Sequence, residues 1–242
     1  MSITPKIHSE IPHKDNYGRY LGDLVYGAND GIITTFAVVS GAAGAGFGAG
    51  IVIILGLANL IADGISMGLS NYLAISSKQD FDKKQMRLEE YEVDVFPDKE
   101  RGEVREIFQK WGFDGQNLEN AVSVISADKK RWVDFMMREE LDIIEDDNDD
   151  PKKHGTATAI SFMIAGFLPL IPYLFFVSEP NQFASSIVLT ALSLFGVGSA
   201  RSVVIEKSWW LSGLEMLFVG GLAAVAAFAI GFFTKSIFGV IV

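Results

Sequence analysis

Residues 71–95 read NYLAISSKQDFDKKQMRLEEYEVDV, and no glycine or proline interrupts them. Their first residues close an apolar run that begins near residue 51, and their last ones are among the most charged in the chain. A helix with no breaker continues, so one helix is expected to pass from an apolar environment into an aqueous one. That single element divides the 242-residue chain.

Upstream and downstream the division holds. Hydrophobic residues make up 49% of the chain and the mean hydropathy is +0.28, yet there are 30 acids and 20 bases. Residues 78–153 hold 22 of the acids and 14 of the bases, which is −8 of the net charge of −10. Outside them lie five stretches of about the 20 apolar residues that a bilayer-spanning helix needs: 23–47, 51–75, 156–177, 184–206 and 209–233. The connections GAGFGAG and SEPNQFA carry no Lys or Arg. Lys6, Lys14 and Arg19, the bases of the charged segment, and Arg201 and Lys207 fall at the opposite ends of the spans. This positive-inside pattern predicts a multi-pass integral membrane protein with its N-terminus and charged domain in the cytoplasm. The first twenty residues lack the apolar stretch of a secretory signal. The expected fold is an all-α membrane protein of five transmembrane helices, with a cytoplasmic helical domain inserted between the second and third. Its parts are a tail over 1–20, spans one and two over 21–77, the charged domain over 78–155 and spans three to five over 156–242. No internal repeat argues for an inverted-repeat transporter.

Within the charged segment, Pro97 suits a first helical turn, so a helix is expected over 97–111. GFDGQN then reads as a turn, LENAVSVIS as a short helix, ADKKRWVDFMMREELDII as an amphipathic one, and EDDNDDPKKHG as a break. The absence of cysteine excludes disulfides and thiolate chemistry.

Asp30 lies about seven residues, or on the order of 10 Å, inside the first span. An ionisable group at that depth is expensive and is a functional candidate. In the second span Asn59, Asp63, Met67 and Asn71 recur every four residues, a single stripe with Ser66 and Ser70 beside it. Asp30 and Met67 are expected at similar depths. Oxygen donors together with a thioether suit a borderline transition-metal dication better than Mg²⁺ or Ca²⁺. Methionine in a membrane helix ordinarily packs, and Asn and Ser ordinarily bond neighbouring helices. Glu215 is expected to pair with Arg201 or Lys207. Gly27, Gly31 and the small residues after them permit close helix approach, which predicts a homodimer seam through the first span.

In the charged domain Glu89 and Glu92 share a helix face, as do Glu100 and Glu103, with Pro97 between the pairs. Met136, Met137 and Glu140 offer two thioethers and a carboxylate within about a turn. Solvated acids and core methionines are the plain alternative.

The motifs YGANDGIITTFAVVSGAAGA, ADGISMGLSNYLA and FMMREEL, with the paired E-x-x-E across Glu89 to Glu103, resemble the vacuolar iron transporter family from about residue 20 to the C-terminus. The resemblance implies a dimeric, proton-coupled antiporter that exports Fe²⁺, and Mn²⁺ or related dications, from the cytoplasm. It implies that Asp30 and Met67 are transmembrane metal ligands, and that Glu89, Glu92, Glu100, Glu103, Met136, Met137 and Glu140 hold metal in the cytoplasmic domain. The metal is then substrate, no cofactor is needed, and the partners are dications, protons and the bilayer, with no nucleic acid. Many members carry a glutamate where this chain has Asn71. An amide takes up no proton, so Asp63 is the substitute expected for proton coupling. Two other functions are open to such a chain. A di-iron oxidase normally needs Glu-x-x-His pairs, and His8, His13 and His154 all lie outside the glutamate helices, so no enzyme is expected. A membrane-tethered metal buffer or sensor would not need Asp30.

Overall fold

The computed structural model describes residues 16–144, 149–175, 181–205 and 207–239. The N-terminal tail up to residue 15, the first half of EDDNDDPKKHG, the start of SEPNQFA and the ends expected for the third and fourth spans lie outside these residues. Among the described residues the structure is helical, without strands: α1 Asn16–Ala45, α2 Ala49–Val95, α3 Pro97–Lys110, α4 Gly115–Ser126, α5 Lys129–Glu139, α6 Pro151–Gly166, a 3₁₀ turn Leu168–Leu170, α7 Ile171–Leu174, α8 Gln182–Ile205 and α9 Trp209–Phe238.

As its sequence predicts, α2 is one helix of 47 residues, about 70 Å long at 1.5 Å per residue. It stops where Pro97 disfavours helical geometry in the residue before it: Phe96 has φ −125° and ψ 47°. Pro97 then begins α3, where its missing N–H costs nothing.

The chain forms two compact units, one from the described residues up to Tyr72 and from Lys152 onward, the other from Leu73–Pro151. In the first, α1 packs on α8 and α9, and Phe36, Val39, Val52, Leu60, Phe162 and Leu170 bury one another. Side chains such as Ile61, Leu69, Phe218 and Val225 are nevertheless exposed, a surface suited to lipid and not to water. Four segments are long and apolar enough to cross a membrane: Ala49–Val95, Pro151–Leu174, Gln182–Ser202 and Trp209–Ile237. The first expected span is not among them. The 30-residue α1 is long enough, but Asn29, Asp30 and its many glycines lower its hydropathy.

Three local expectations need correction. The third span is not one helix, because Pro169 and Pro172 lack the N–H that would continue it, and the chain takes a 3₁₀ turn at Leu168–Leu170 instead. GQN of the expected turn is the first turn of α4, and PKKHG of the expected break opens α6. The close approach of Gly27 and Gly31 is spent within the chain: a Cβ on either would collide with the backbone of Thr158 or Phe162 in α6. At these two positions α1 therefore seats α6.

The second unit has its own core of Val93, Val104, Phe108, Leu118, Val122, Trp132, Val133, Met136 and Met137. Asp128 caps α5, accepting from the Arg131 backbone N–H at 2.8 Å.

Candidate functional site

Helix periodicity explains which glutamates are buried. Glu89 lies four residues before Val93, and Glu100 four before Val104 and eight before Phe108. Each thus stands on the face of its helix that carries core residues. Glu89 is 3% exposed and Glu100 is fully buried. From α5, Met136 and Met137 enter the same core, and Glu140 follows Met136 by one turn at the helix end. One carboxylate oxygen from each of Glu89, Glu100 and Glu140 lies within 4.8 Å of the other two. Glu92 and Glu103, three residues beyond the first two, are partly exposed. Glu103 is bonded by Lys99 at 2.8 Å, and Lys99 reaches Glu100 at 3.3 Å.

Lys99 is the single cation that an ion pair brings to this group among the described residues, and it does not balance the acids. Glu89 Oε1 and Glu100 Oε2 are buried without a hydrogen-bond partner, which is costly for a charged oxygen. Burial, then the charges of Glu100, Glu140 and Glu92, push the Glu89 carboxyl up to about 8. Glu100 is raised by burial and by Glu103 against the pull of Lys99, and Glu140 by burial, Glu103, Glu100 and Glu92. Three carboxylates this close, each raised by burial and by its neighbours' charge, form a group of oxygens that could hold a cation in exchange for protons.

An unfolded glutamate releases its proton near 4.5, whereas folded Glu89 keeps it to about 8. That stabilising difference is complete below about 4.5 and is lost as pH rises through about 8. Thermal unfolding of the full chain, followed by tryptophan fluorescence without metal, should therefore show a midpoint that falls from about pH 5 to 8. Added Mn²⁺ should raise the midpoint most at pH 8 and least at pH 5. A metal effect independent of pH would show that these carboxyls do not receive the ion.

In the first unit Asp30 on α1 is half-buried, and the carboxylate whose charge it feels is Asp63 of α2. Met67, one turn along α2, is half-buried against the core that includes Phe36, Leu60 and Phe162. Nearby along the chain, Asn29 Oδ1 and Asn59 Nδ2 are buried without partners. The structure thus brings Asp30 together with Asp63, and places Met67 on Asp63's face of α2. Arg201 pairs with Glu215 at 3.4 Å, as expected, so Glu215 is spent outside this group.

Sequence reasoning missed one group. Asp23 of α1 lies against His154 of α6, with Oδ2 2.5 Å from Nδ1, and Asn71 donates to Asp23 Oδ1 and to Thr158 Oγ1, each at 2.7 Å. His154 and Asp23 are separated by 131 residues, and His154 belongs to the PKKHG that opens α6. A usable signal existed: Asp23 precedes Asp30 by two helical turns and so shares its face.

The VIT family model matches residues 21–232 of this chain. Vacuolar iron transporter 1 of Arabidopsis thaliana is 31% identical over 234 residues, spanning 95% of this chain and 94% of that protein. The vacuolar iron transporter of Centaurea cyanus is 32% identical over 219 residues, 89% of each. That of Plasmodium berghei (strain Anka) is 32% identical over 247 residues, 96% of this chain and 90% of the relative.

Proposed function

This chain belongs to the VIT family, and on that premise we propose that it is a proton-coupled antiporter that exports Fe²⁺, and Mn²⁺ or similar dications, from the cytoplasm. It is an integral membrane transporter of metal ions and not an enzyme, and the metal is substrate, not cofactor. In this reading α1 is a fifth span beside the four apolar segments, and residues 1–20 are a cytoplasmic tail. Residues 21–77 and 156–242 carry the spans, and residues 78–155 form the cytoplasmic metal-gathering domain. The working unit is a homodimer whose two copies of Asp30 and Met67 line one pathway. Because Gly27 and Gly31 seat α6, that seam runs along other faces of α1 and α2.

The observation that carries transport over mere buffering is Asp30 beside Asp63 in apolar helices. Two like charges there are unfavourable alone and are offset by a dication. Glu89, Glu100 and Glu140 form the inner receiving site, Glu92 and Glu103 its more exposed rim, and Met136 and Met137 bring soft sulfur to its buried side. Clustered carboxylates release protons as a dication enters. Asp30 and Met67 then take the ion across, with Asp63 as the second intramembrane acid and a group able to exchange protons.

The test is uptake of several dications by the purified protein in liposomes under an imposed pH gradient. Gradient-dependent entry of Fe²⁺ and Mn²⁺ with opposite proton flow is expected; binding without entry would make the chain a buffer or sensor. In the same assay Met67→Leu should change the ranking of Fe²⁺, Mn²⁺ and Zn²⁺ while costing less than about 1.5 kcal/mol of stability, since volume is conserved and only the soft donor is lost. An unchanged ranking would leave Met67 as packing alone.

A further inference from the structure

The group at Asp23 joins three helices and is outside both metal sites. Its hydrogen bonds determine what it can do. Asn71 spends both amide hydrogens, one on Asp23 Oδ1 and one on Thr158 Oγ1. The buried Thr158 hydroxyl in turn donates to the His154 carbonyl at 3.0 Å. Asp23 Oδ1 is therefore an acceptor, and the proton of the other contact lies between Oδ2 and His154 Nδ1. Neither an amide nor a hydroxyl changes charge near neutral pH, so within this group only the Asp23–His154 pair takes up a further proton. His154 is 7% exposed. Asp23 lies two turns, about 10 Å, from Asp30 on one face of α1, and Asn71 lies one turn beyond Met67 on the stripe of α2. The pair thus adjoins the intramembrane metal site along two helices at once.

We propose that the Asp23–His154 pair is the proton carrier of the exchange, with Asn71 and Thr158 as its positioning residues. This rests on reading the chain as a proton-coupled exchanger. Asp63, whose charge Asp30 feels, then serves the cation, and the proton-exchange role passes to the pair. One proton taken by the imidazole changes the pair from a net charge of −1 to 0. A dication at Asp30 and that proton repel each other, so arrival of one favours release of the other. The other titratable or charged groups on these stretches are Arg19 and Tyr20 on α1, Tyr72 on α2 and Lys152 and Lys153 on α6, with Asp149 and Asp150 just before α6. The Tyr20 ring lies 4.7 Å from that of His154. Of these side-chain types, histidine is the one that ordinarily changes charge between about pH 5 and 8.

The test uses the full chain in liposomes, with Mn²⁺ supplied outside and proton flow read by an internal pH dye. His154→Gln should lower the proton flow that accompanies Mn²⁺ at least about tenfold and flatten its pH profile. Adding Asn71→Glu, which places a carboxyl in the same group, should restore the flow with a profile displaced to lower pH. Unchanged coupling in His154→Gln overturns the assignment and leaves the exchanger intact, as does joint loss of Mn²⁺ entry and proton flow without rescue. Wild-type Mn²⁺ entry with no proton flow instead overturns the exchanger reading, and the pair's role with it. Should His154→Gln fail to fold, ring ¹⁵N signals of His154, recorded with His8 and His13 changed to alanine, decide the matter. Its titration midpoint should fall when Zn²⁺ is added, and a midpoint indifferent to Zn²⁺ overturns the proposal.

Discussion

Asp30→Ala should reduce dication transport to the protein-free background at every metal concentration, while the protein still folds and keeps its oligomeric state. The two halves of that result have separate causes. Asp30 shares its electrostatic surroundings with Asp63, so removing one acid relieves repulsion and desolvation, and the unfolding midpoint should hold or rise. With one acid left, a dication entering the apolar helices keeps an uncompensated charge, a cost that more substrate cannot offset because it lies in the crossing and not in the encounter. Uptake into liposomes over a wide range of Mn²⁺ reads both halves. Transport that returns at high Mn²⁺ would place the obligatory site elsewhere, and a collapsed midpoint would make Asp30 a structural residue.

What the sequence revealed of this molecule follows from the range over which each signal acts. The continuity of α2 and its end at Pro97 were legible because breakers act on their immediate neighbours. The same locality found the third span but not its bend, because a hydropathy window averages over Pro169 and Pro172 and sees only apolar residues. At α1 the polar residues that lower the hydropathy, Asn29 and Asp30, are the same ones that make the helix a functional candidate. Glycine spacing showed that α1 approaches something closely, but not that the partner was α6 of the same chain, since surface-free sequence cannot tell a neighbour within the chain from one outside it. In the charged domain the paired acids were visible. Their division into the buried Glu89 and Glu100 and the more exposed Glu92 and Glu103 needed the i+4 link to Val93 and Val104. The Asp23–His154 contact had no local signature, because it depends on how α1 and α6 pack.

That division of the acids sets up the largest effect expected in the charged domain. Changing Glu89 and Glu100 together to Gln keeps their shape and approximates their protonated forms. At pH 8 the wild-type domain without metal bears the cost of charge on buried Glu89, pushed up to about 8, and Glu100 is raised in the same direction, first by burial; the variant carries neither carboxyl. Its unfolding midpoint without metal should therefore exceed that of wild type by several degrees at pH 8, and the two should converge near pH 5. The rise that Mn²⁺ gives wild type should vanish, since stabilisation by a ligand requires its site and Glu140 alone, exposed at the end of α5, is a poor one. Transport should fall on the order of tenfold at low Mn²⁺, as expected for a lost ligand set, and recover when Mn²⁺ is abundant, because Asp30 and Met67 remain. The two variants must then differ in kind: substrate rescues the loss at the glutamates and does not rescue the loss at Asp30. A variant less stable than wild type at pH 8 would mean that these carboxyls are stabilising as anions and that their burial does not act as a proton store. Failure of rescue would mean that the ion must pass through the glutamate cluster on its way to Asp30, which would make the charged domain part of the pathway.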